Sequence, residues 1–172
     1  MKFIAIFLSL VFVSNLLFAE EKLTLDSIDV FSSTPLPSIG LPKNMVIGMA
    51  GILDTSRFKY FLSQEMKVPV KKIVSLVLGG HGDTMVSMLN HTTVEGKAVL
   101  ELVKDGKLDK KILENIVQRT KNGGAEVVKV LEKGSAFYAP AAAGVEMAES
   151  YLNDLKKQLP CAAYLNGEYG IE

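Results

Sequence analysis

Apolar residues recur at two different spacings along the chain, and this predicts an alternation of helices and strands. Helical spacing predicts three helices, over residues 52–66, 108–121 and 140–158. Gly123-Gly124 is predicted to break the chain before a further short helical segment at 125–133. Runs of β-branched and other apolar residues predict buried strands at 72–78 and 159–165, the latter followed by the hairpin signal Asn166-Gly167. Residues 85–94 also have the composition of a strand. This order of elements predicts an α/β fold.

The amino end has a different pattern from the rest of the chain. Residues 3–18 are apolar except for two serines and one asparagine, and none is charged. Lys2 precedes this run and Ala19 follows it, as in a secretory signal peptide, and the run is short for a membrane span. The alternative is a buried helix, although a soluble helix normally has a polar face. We predict three segments: a signal-peptide-like leader (1–19), a turn-rich linker (20–40) and a folded domain (41–172).

Composition limits which binding partners and which cysteine-based sites the chain can be expected to have. Basic and acidic residues number 19 each, so the formal charge is zero and gives no electrostatic reason to expect nucleic acid. The single cysteine, Cys161, excludes an intramolecular disulfide framework and a multi-cysteine zinc site. Because Cys161 lies in an apolar strand, it is predicted to be a small buried residue. His91, alone on a strand, is predicted at the surface or in the core. We expect no metal site.

Asp54 and Arg57 carry the first candidate chemistry. They lie three positions apart on a predicted helix, so both side chains project from one face. An arginine offers a planar fork that binds a carboxylate through two parallel hydrogen bonds. The alternative is an ordinary surface ion pair, which is common in helices.

His81 carries the second candidate chemistry. It stands in Gly79-Gly80-His81-Gly82-Asp83, directly after a predicted strand, where flanking glycines allow a sharp turn and leave the imidazole accessible. Asp83 is predicted to close that turn. The alternative is a turn histidine bonded to a carbonyl group. Together with Asp54 and Arg57, His81 suggests proton exchange with a 2-hydroxy or 2-oxo acid, since an aspartate on Nδ1 fixes the tautomer that leaves Nε2 free.

Oxidation or reduction of such an acid would also need hydride transfer at the carbon that bears the exchanging oxygen, and therefore a hydride carrier. The sequence contains no motif that predicts a binding site for such a carrier. No G-x-G-x-x-G motif follows a strand: Gly48-Met49-Ala50-Gly51 lacks the spacing, and Gly82 is followed by Asp83, Thr84 and Met85. The residues that would bind a cofactor therefore stay unassigned.

Four long stretches, in order, carry a resemblance to a known family: GLPKNMVIGMAGILDTSRF, VLGGHGDTMV, RTKNGGAEVVKVLEKGSAFYAPAAAGVEMAESYL and LPCAAYLNGEYGI. From Leu41 to Ile171 the chain resembles the carboxyl-terminal half of malate dehydrogenases, in the lactate/malate dehydrogenase family. The resemblance implies a substrate domain in which helices pack on a small mixed or antiparallel sheet. It also implies that His81 is the catalytic proton acceptor, Asp54 its partner and Arg57 a ligand of the substrate carboxylate.

The resemblance also implies further pocket residues, a cofactor, substrates, an assembly and a cellular location. Ser135 and Ala136 would border the substrate pocket, although Ser135 could instead cap a helix or turn. NAD would be the cofactor, malate and oxaloacetate the dicarboxylate substrates, and the assembly a homo-oligomer. A cytoplasmic location is implied by the family, whereas residues 1–19 suggest export, with membrane association only through that segment if it is uncleaved.

The chain departs from the family before Leu41, where a signal-like segment stands in place of the Rossmann domain, its glycine fingerprint and the loop that distinguishes malate from lactate. Two hypotheses follow. The chain is an NAD-dependent malate dehydrogenase, or it is a non-catalytic remnant that binds a dicarboxylate weakly or only associates with partners.

Overall fold

The structure, a computed structural model, describes residues 46–134, 137–163, 167 and 170. Its elements are, in order, β1 (Ile47–Met49), α1 (Ile52–Met66), β2 (Ile73–Val74), β3 (Val77–Gly79), β4 (Met85–Ser87), β5 (Thr93–Val94), β6 (Lys97–Ala98), α2 (Val99–Lys104), α3 (Lys110–Leu131), α4 (Tyr138–Leu152) and β7 (Cys161–Ala163). Short 3₁₀ turns lie at Val70–Lys72, Gly82–Thr84 and Leu89–His91. Helices and small antiparallel sheets confirm the predicted fold class.

The described chain divides into two units, and the larger comprises Ala50–Ala143 with Gln158–Pro160. It contains two small antiparallel sheets, the three-stranded β2-β5-β6 and the hairpin β3-β4. Apolar side chains from α1, the strands, α2 and α3 form its core: Phe58, Leu62, Ile73, Val77, Met85, Val94, Val99, Leu102, Leu108, Leu113 and Ile116. This unit contains Asp54, Arg57 and His81, the three predicted site residues that the structure describes.

The other unit includes β1, Gly144–Lys157 and β7. Its strands pair antiparallel, with Ile47 opposite Ala163 and Met49 opposite Cys161. Strand β7 begins at Cys161, two residues after the start of the strand predicted at 159–165. Cys161 is exposed, so the prediction of a buried cysteine is wrong. A three-residue strand in a two-stranded ribbon has too few neighbours to cover both of its faces. The hairpin residue Asn166 lies outside the described residues.

The predicted break at Gly123-Gly124 is wrong, because α3 continues without interruption from Lys110 to Leu131. The helix begins at Asp109, whose carboxylate accepts a hydrogen bond from the Lys111 backbone N–H. Its buried positions are Leu113, Ile116, Thr120 and Gly123. That spacing of three and four residues carries the core-facing stripe through the glycine, so tertiary packing overrides its low helix propensity.

The predicted strand at 72–78 is two strands, β2 and β3, which pair with β5 and β4 respectively. Ser75 lies between them, buried, with its hydroxyl 2.8 Å from the Thr92 hydroxyl. Val74 and Leu78 are exposed, so the run is buried on one face only. The predicted strand at 85–94 is likewise interrupted, by the 3₁₀ turn that contains His91, which is exposed. A buried hydrogen bond between side chains, such as the one between Ser75 and Thr92, can stabilise an irregular backbone segment where the apolar pattern predicts a continuous strand.

Helix α4 begins at Tyr138, two residues before the predicted start, and places Pro140 in its first turn, where proline is tolerated. It ends at Leu152 rather than near residue 158, since the chain turns into a left-handed conformation at Asp154 (φ +49°). Among the described residues, no helix combines the length and the apolar content that crossing a bilayer requires.

Candidate active site

The first turn of α1 positions Asp54. Gly51 is the residue before the helix, at φ +80°, and a side chain there would meet the Val77 carbonyl oxygen at 2.6 Å, so only glycine fits. Phe58 and Leu62 anchor the helix by their complete burial in the core. Asp54 is thereby held at the positive end of the helix dipole with only 3% of its surface exposed.

The β3-β4 hairpin positions His81. Gly79 pairs with Met85, so residues 80–84 form the loop that joins the strands. Gly79 lies at φ +87°, with Thr84 packed closely against its α-carbon. Asp83 lies in the 3₁₀ turn that follows His81, in the position predicted for it. The loop leaves 65% of the His81 side chain exposed, so the imidazole is open to solvent on one side.

Asp54 links the other two predicted side chains. His81 Nδ1 lies 3.0 Å from Asp54 Oδ2, within hydrogen-bond distance, and Arg57 Nη1 lies 3.5 Å from Asp54 Oδ1. Each carboxylate oxygen therefore faces a different partner. The structure brings the three side chains together, although they come from positions 27 residues apart in the sequence.

The electrostatics of the cluster favour the imidazolium. The hydrogen bond to Asp54 raises the pKa of His81 above its ordinary value of 6.5, and the negative charge of Asp54 adds to this. Partial desolvation of the ring and the positive charge of Arg57 act in the opposite direction. The net rise means that His81 holds a proton more readily than a free histidine does.

The Arg57–Asp54 pair is buried and incompletely bonded. The two side chains are 13% and 5% exposed. Among the described residues, neither Arg57 Nη1 nor Asp54 Oδ1 has a hydrogen-bond partner, because their separation is longer than a good N–H···O bond. Because Nη1 is itself shielded from solvent, an incoming carboxylate would have to meet the other N–H groups of the guanidinium.

Residues 52–172 match the family model described as the lactate/malate dehydrogenase alpha/beta C-terminal domain. The chain belongs to the lactate/malate dehydrogenase family. It is 67% identical over 132 residues to the malate dehydrogenase of Pelagibacter ubique (strain HTCC1062), a match that covers 77% of this chain and 41% of the relative. The chain therefore spans about two fifths of the length of that relative.

Solved structures of the family superpose on the same part of the chain. Malate dehydrogenase from Salinibacter ruber matches with a TM-score of 0.71 and 48% identity, over 79% of this chain and 43% of the other. Lactate dehydrogenase from Eimeria maxima, solved with NADH and oxamate, matches with a TM-score of 0.75 and 36% identity, over 79% of this chain and 42% of the other. Both malate and lactate dehydrogenases thus share the fold of this family member.

Sequence reasoning did not find two further contacts that hold the site. The Thr55 hydroxyl accepts a buried hydrogen bond of 2.9 Å from the Val77 backbone N–H, which ties α1 to the first residue of β3. Lys121 Nζ donates to the Asp83 carbonyl oxygen at 2.9 Å, which ties α3 to the His81 loop. Thr55 stands next to Asp54, but its partner lies 22 residues away, and local patterns do not predict such a contact.

Two predicted site residues, Ser135 and Ala136, lie outside the described residues.

Within the described ranges, no three histidine, cysteine, aspartate or glutamate side chains lie close enough together to hold a metal ion. The geometry of Asp54, Arg57 and His81 is chemically suited to proton exchange at the imidazole and to carboxylate binding at the guanidinium.

Proposed function

We propose that this chain performs the proton-transfer and carboxylate-binding part of the interconversion of malate and oxaloacetate, with NAD as the hydride carrier of the whole reaction. The observation that supports this most directly is the 3.0 Å contact between His81 Nδ1 and Asp54 Oδ2 on an imidazole that is 65% exposed. The 67% identity to a malate dehydrogenase favours malate over other 2-hydroxy acids.

His81 exchanges the proton. With Nδ1–H donated to Asp54, Nε2 of the neutral ring accepts the proton of the substrate's C2 hydroxyl as its O–H bond breaks. The carbonyl would form only as the hydride on C2 leaves to NAD, a transfer that these residues do not perform. The ring then becomes an imidazolium, which the buried carboxylate of Asp54 stabilises. In the reverse direction the imidazolium returns this proton to the oxygen of the 2-oxo acid.

Arg57 binds the substrate carboxylate next to the reacting carbon. Its guanidinium is planar and keeps its charge at any physiological pH, so two N–H groups can meet the two carboxylate oxygens. Asp54 holds both His81 and Arg57, which fixes the distance between the proton acceptor and the carboxylate ligand. A substrate bound at one is thereby oriented toward the other.

The described residues do not form a site that fits NAD. The one glycine turn that leads from a strand into a long helix is Met49–Gly51, and Gly51 is covered by the Val77 carbonyl and the Pro160 ring. Both groups lie on the side of Gly51 where a Cβ would project, so the turn has no open cradle on that side for a pyrophosphate. We assign no part of the hydride step to these residues.

The test is NADH-dependent reduction of oxaloacetate by the purified 172-residue chain. Because a positioned acid–base group contributes roughly a hundredfold to ten-thousandfold, His81→Ala should lower the rate by that order. His91→Ala is the matched control, since His91 is the other histidine of the chain and lies exposed on a 3₁₀ turn. Equal rates above the protein-free background for the wild type and His81→Ala would remove His81 from the mechanism, whereas a wild-type rate at that background would favour the second candidate below.

A second candidate function is dicarboxylate binding without turnover, or association with partners alone, and the covered glycine turn at Gly51 favours it. It predicts no NADH-dependent rate in the wild type, together with calorimetric binding of malate that Arg57→Ala abolishes. Tight binding of NAD to this chain would contradict it. Absence of both turnover and malate binding in the wild type would contradict the principal proposal and the binding form of the second candidate, and would leave association with partners alone.

A further inference from the structure

Gly123 lies in the interior of α3, where glycine is a poor helix former, and it is buried. Neither a turn nor a left-handed backbone conformation requires glycine at this position, since the helix continues regularly to Leu131. The absence of a side chain must therefore serve a contact made by another part of the chain.

That contact is the side chain of Arg57. A Cβ built on Gly123 would lie 3.0 Å from Arg57 Cδ and 3.4 Å from Arg57 Nε, closer than most real Cβ contacts. A Cβ on the next residue, Gly124, would lie 3.7 Å from both terminal nitrogens of Arg57, which is an ordinary van der Waals distance. The stem of Arg57 thus lies directly against the α3 backbone at Gly123 and less tightly at Gly124.

Arg57 has little freedom to avoid a new side chain at this point. Its guanidinium faces Asp54 at 3.5 Å, and only 13% of the side chain is exposed. A methyl group on Gly123 would push the stem by a few tenths of an ångström, and this movement would be transmitted to the guanidinium.

We propose that Gly123 is a positioning residue: its bare backbone forms a recess that sets where the Arg57 guanidinium lies relative to Asp54. The recess itself is a geometric feature of the fold. Its consequence for carboxylate binding rests on the function proposed for Arg57 above.

The first test is a double-mutant cycle on thermal stability in the full chain. Alanine at an unconstrained helix position is more favourable than glycine, so Gly124→Ala should raise Tm by about 2–4 °C, with Arg57 present or replaced by alanine. Gly123→Ala should lower Tm when Arg57 is present. In the Arg57→Ala background, where the recess is free, the same change should raise Tm.

The sign change of the Gly123→Ala effect between the two backgrounds is the expected result. An equal shift in both backgrounds would overturn the proposal, because the cost would then not come from Arg57. Neither outcome depends on catalysis or on ligand, so the cycle decides the proposal even if the function proposed above fails.

The second test measures L-malate binding to the single variants by NMR titration, which does not require Arg57→Ala to fold. Because the shift disturbs the hydrogen bonds between the guanidinium and the carboxylate, Gly123→Ala should weaken binding roughly fivefold to tenfold, about the net contribution of one hydrogen bond. Gly124→Ala, which leaves ordinary contact distances, should bind within about twofold of wild type. Equal weakening in both variants would overturn the positioning role, whereas no binding by the wild type would contradict the proposed function instead.

Discussion

Helices α1 and α3 carry two arginine–carboxylate pairs that differ in almost every respect. Arg119 donates to Glu126 through three hydrogen bonds of 2.9–3.2 Å, and both side chains are about half exposed. Arg57 lies 3.5 Å from Asp54, and both side chains are nearly buried. The pair with the better geometry is the one in contact with water, and the pair with the poorer geometry is shielded from it.

The exposed pair is complete in itself. The Arg119 guanidinium also lies 4.2 Å above the Phe61 ring, and its hydrogen bonds to Glu126 raise the pKa of Arg119 and lower the pKa of Glu126. The shallow groove that Arg119 lines contains none of the three residues of the candidate site. Such a pair can hold the surface of α3 together, but it has no donor capacity reserved for a ligand.

The buried pair is incomplete, and it is the pair that belongs to the candidate site. A buried charge without full hydrogen bonding costs free energy of folding, which a fold retains only where something else is served. Here the carboxylate of Asp54 is shared between Arg57 and His81.

The largest effect that separates the two pairs is expected from removing each carboxylate. Asp54→Ala leaves the Arg57 charge buried without a partner and should lower the free energy of unfolding by about 3–5 kcal/mol. Glu126→Ala leaves Arg119 in water and should change stability little. Urea unfolding of both variants measures the difference. Equal effects would mean that the burial of Asp54 has no energetic consequence.

A smaller loss of stability is expected from removing the Thr55 hydroxyl, which lies next to the buried pair and accepts a hydrogen bond from the Val77 N–H. Thr55→Val keeps the shape of the side chain but leaves the Val77 N–H without its acceptor, and this should lower stability by about 1–3 kcal/mol. Thr55→Ser keeps the hydroxyl and should lose less. The two substitutions are compared by urea unfolding. A serine variant as unstable as the valine variant would show that the methyl group, and not the hydrogen bond, holds α1 against β3.

The pH dependence of the buried pair should be visible at His81. NMR titration of the full chain should give His81 a midpoint above 6.5, and Asp54→Asn should lower it, because the hydrogen bond to the carboxylate is the main cause of the raised pKa. His91 supplies a second histidine signal as an internal reference.

The sign of the linked stability follows from that rise. A raised pKa in the folded state stabilises the protein below the unfolded value of 6.5, and this contribution disappears as pH increases through the raised pKa. The contribution should be small because the ring is 65% exposed. A midpoint at or below 6.5 in the wild type would contradict the Asp54 contact.

The smallest effect is expected from salt. At 1 M NaCl the screening length falls to about 3 Å, so the small effect of Glu126→Ala should decrease further. The effect of Asp54→Ala should persist, since buried charges are screened much less. Thermal unfolding at low and high salt compares the two. An Asp54→Ala effect that also disappeared in salt would place that pair in contact with solvent.

The sequence by itself determined the fold class, helix α1, the pairing of Asp54 with Arg57 on one helix face, and the turn that follows a strand at His81. These features depend on periodicity, on glycine and proline positions and on neighbours within one or two helical turns, all of which are local. The family resemblance, which rests on long blocks and not on one motif, implied roles for these side chains, and these roles stay predictions.

Only the tertiary structure decided the rest. Gly123-Gly124 has the local signature of a helix break, yet the packing stripe of α3 continues through Gly123 and the stem of Arg57 lies against it. The run at 72–78 splits because β2 and β3 find different partners, and Thr55 reaches an N–H 22 residues away. Propensities differ by about 1 kcal/mol per residue, so contacts between distant segments of comparable energy can override them.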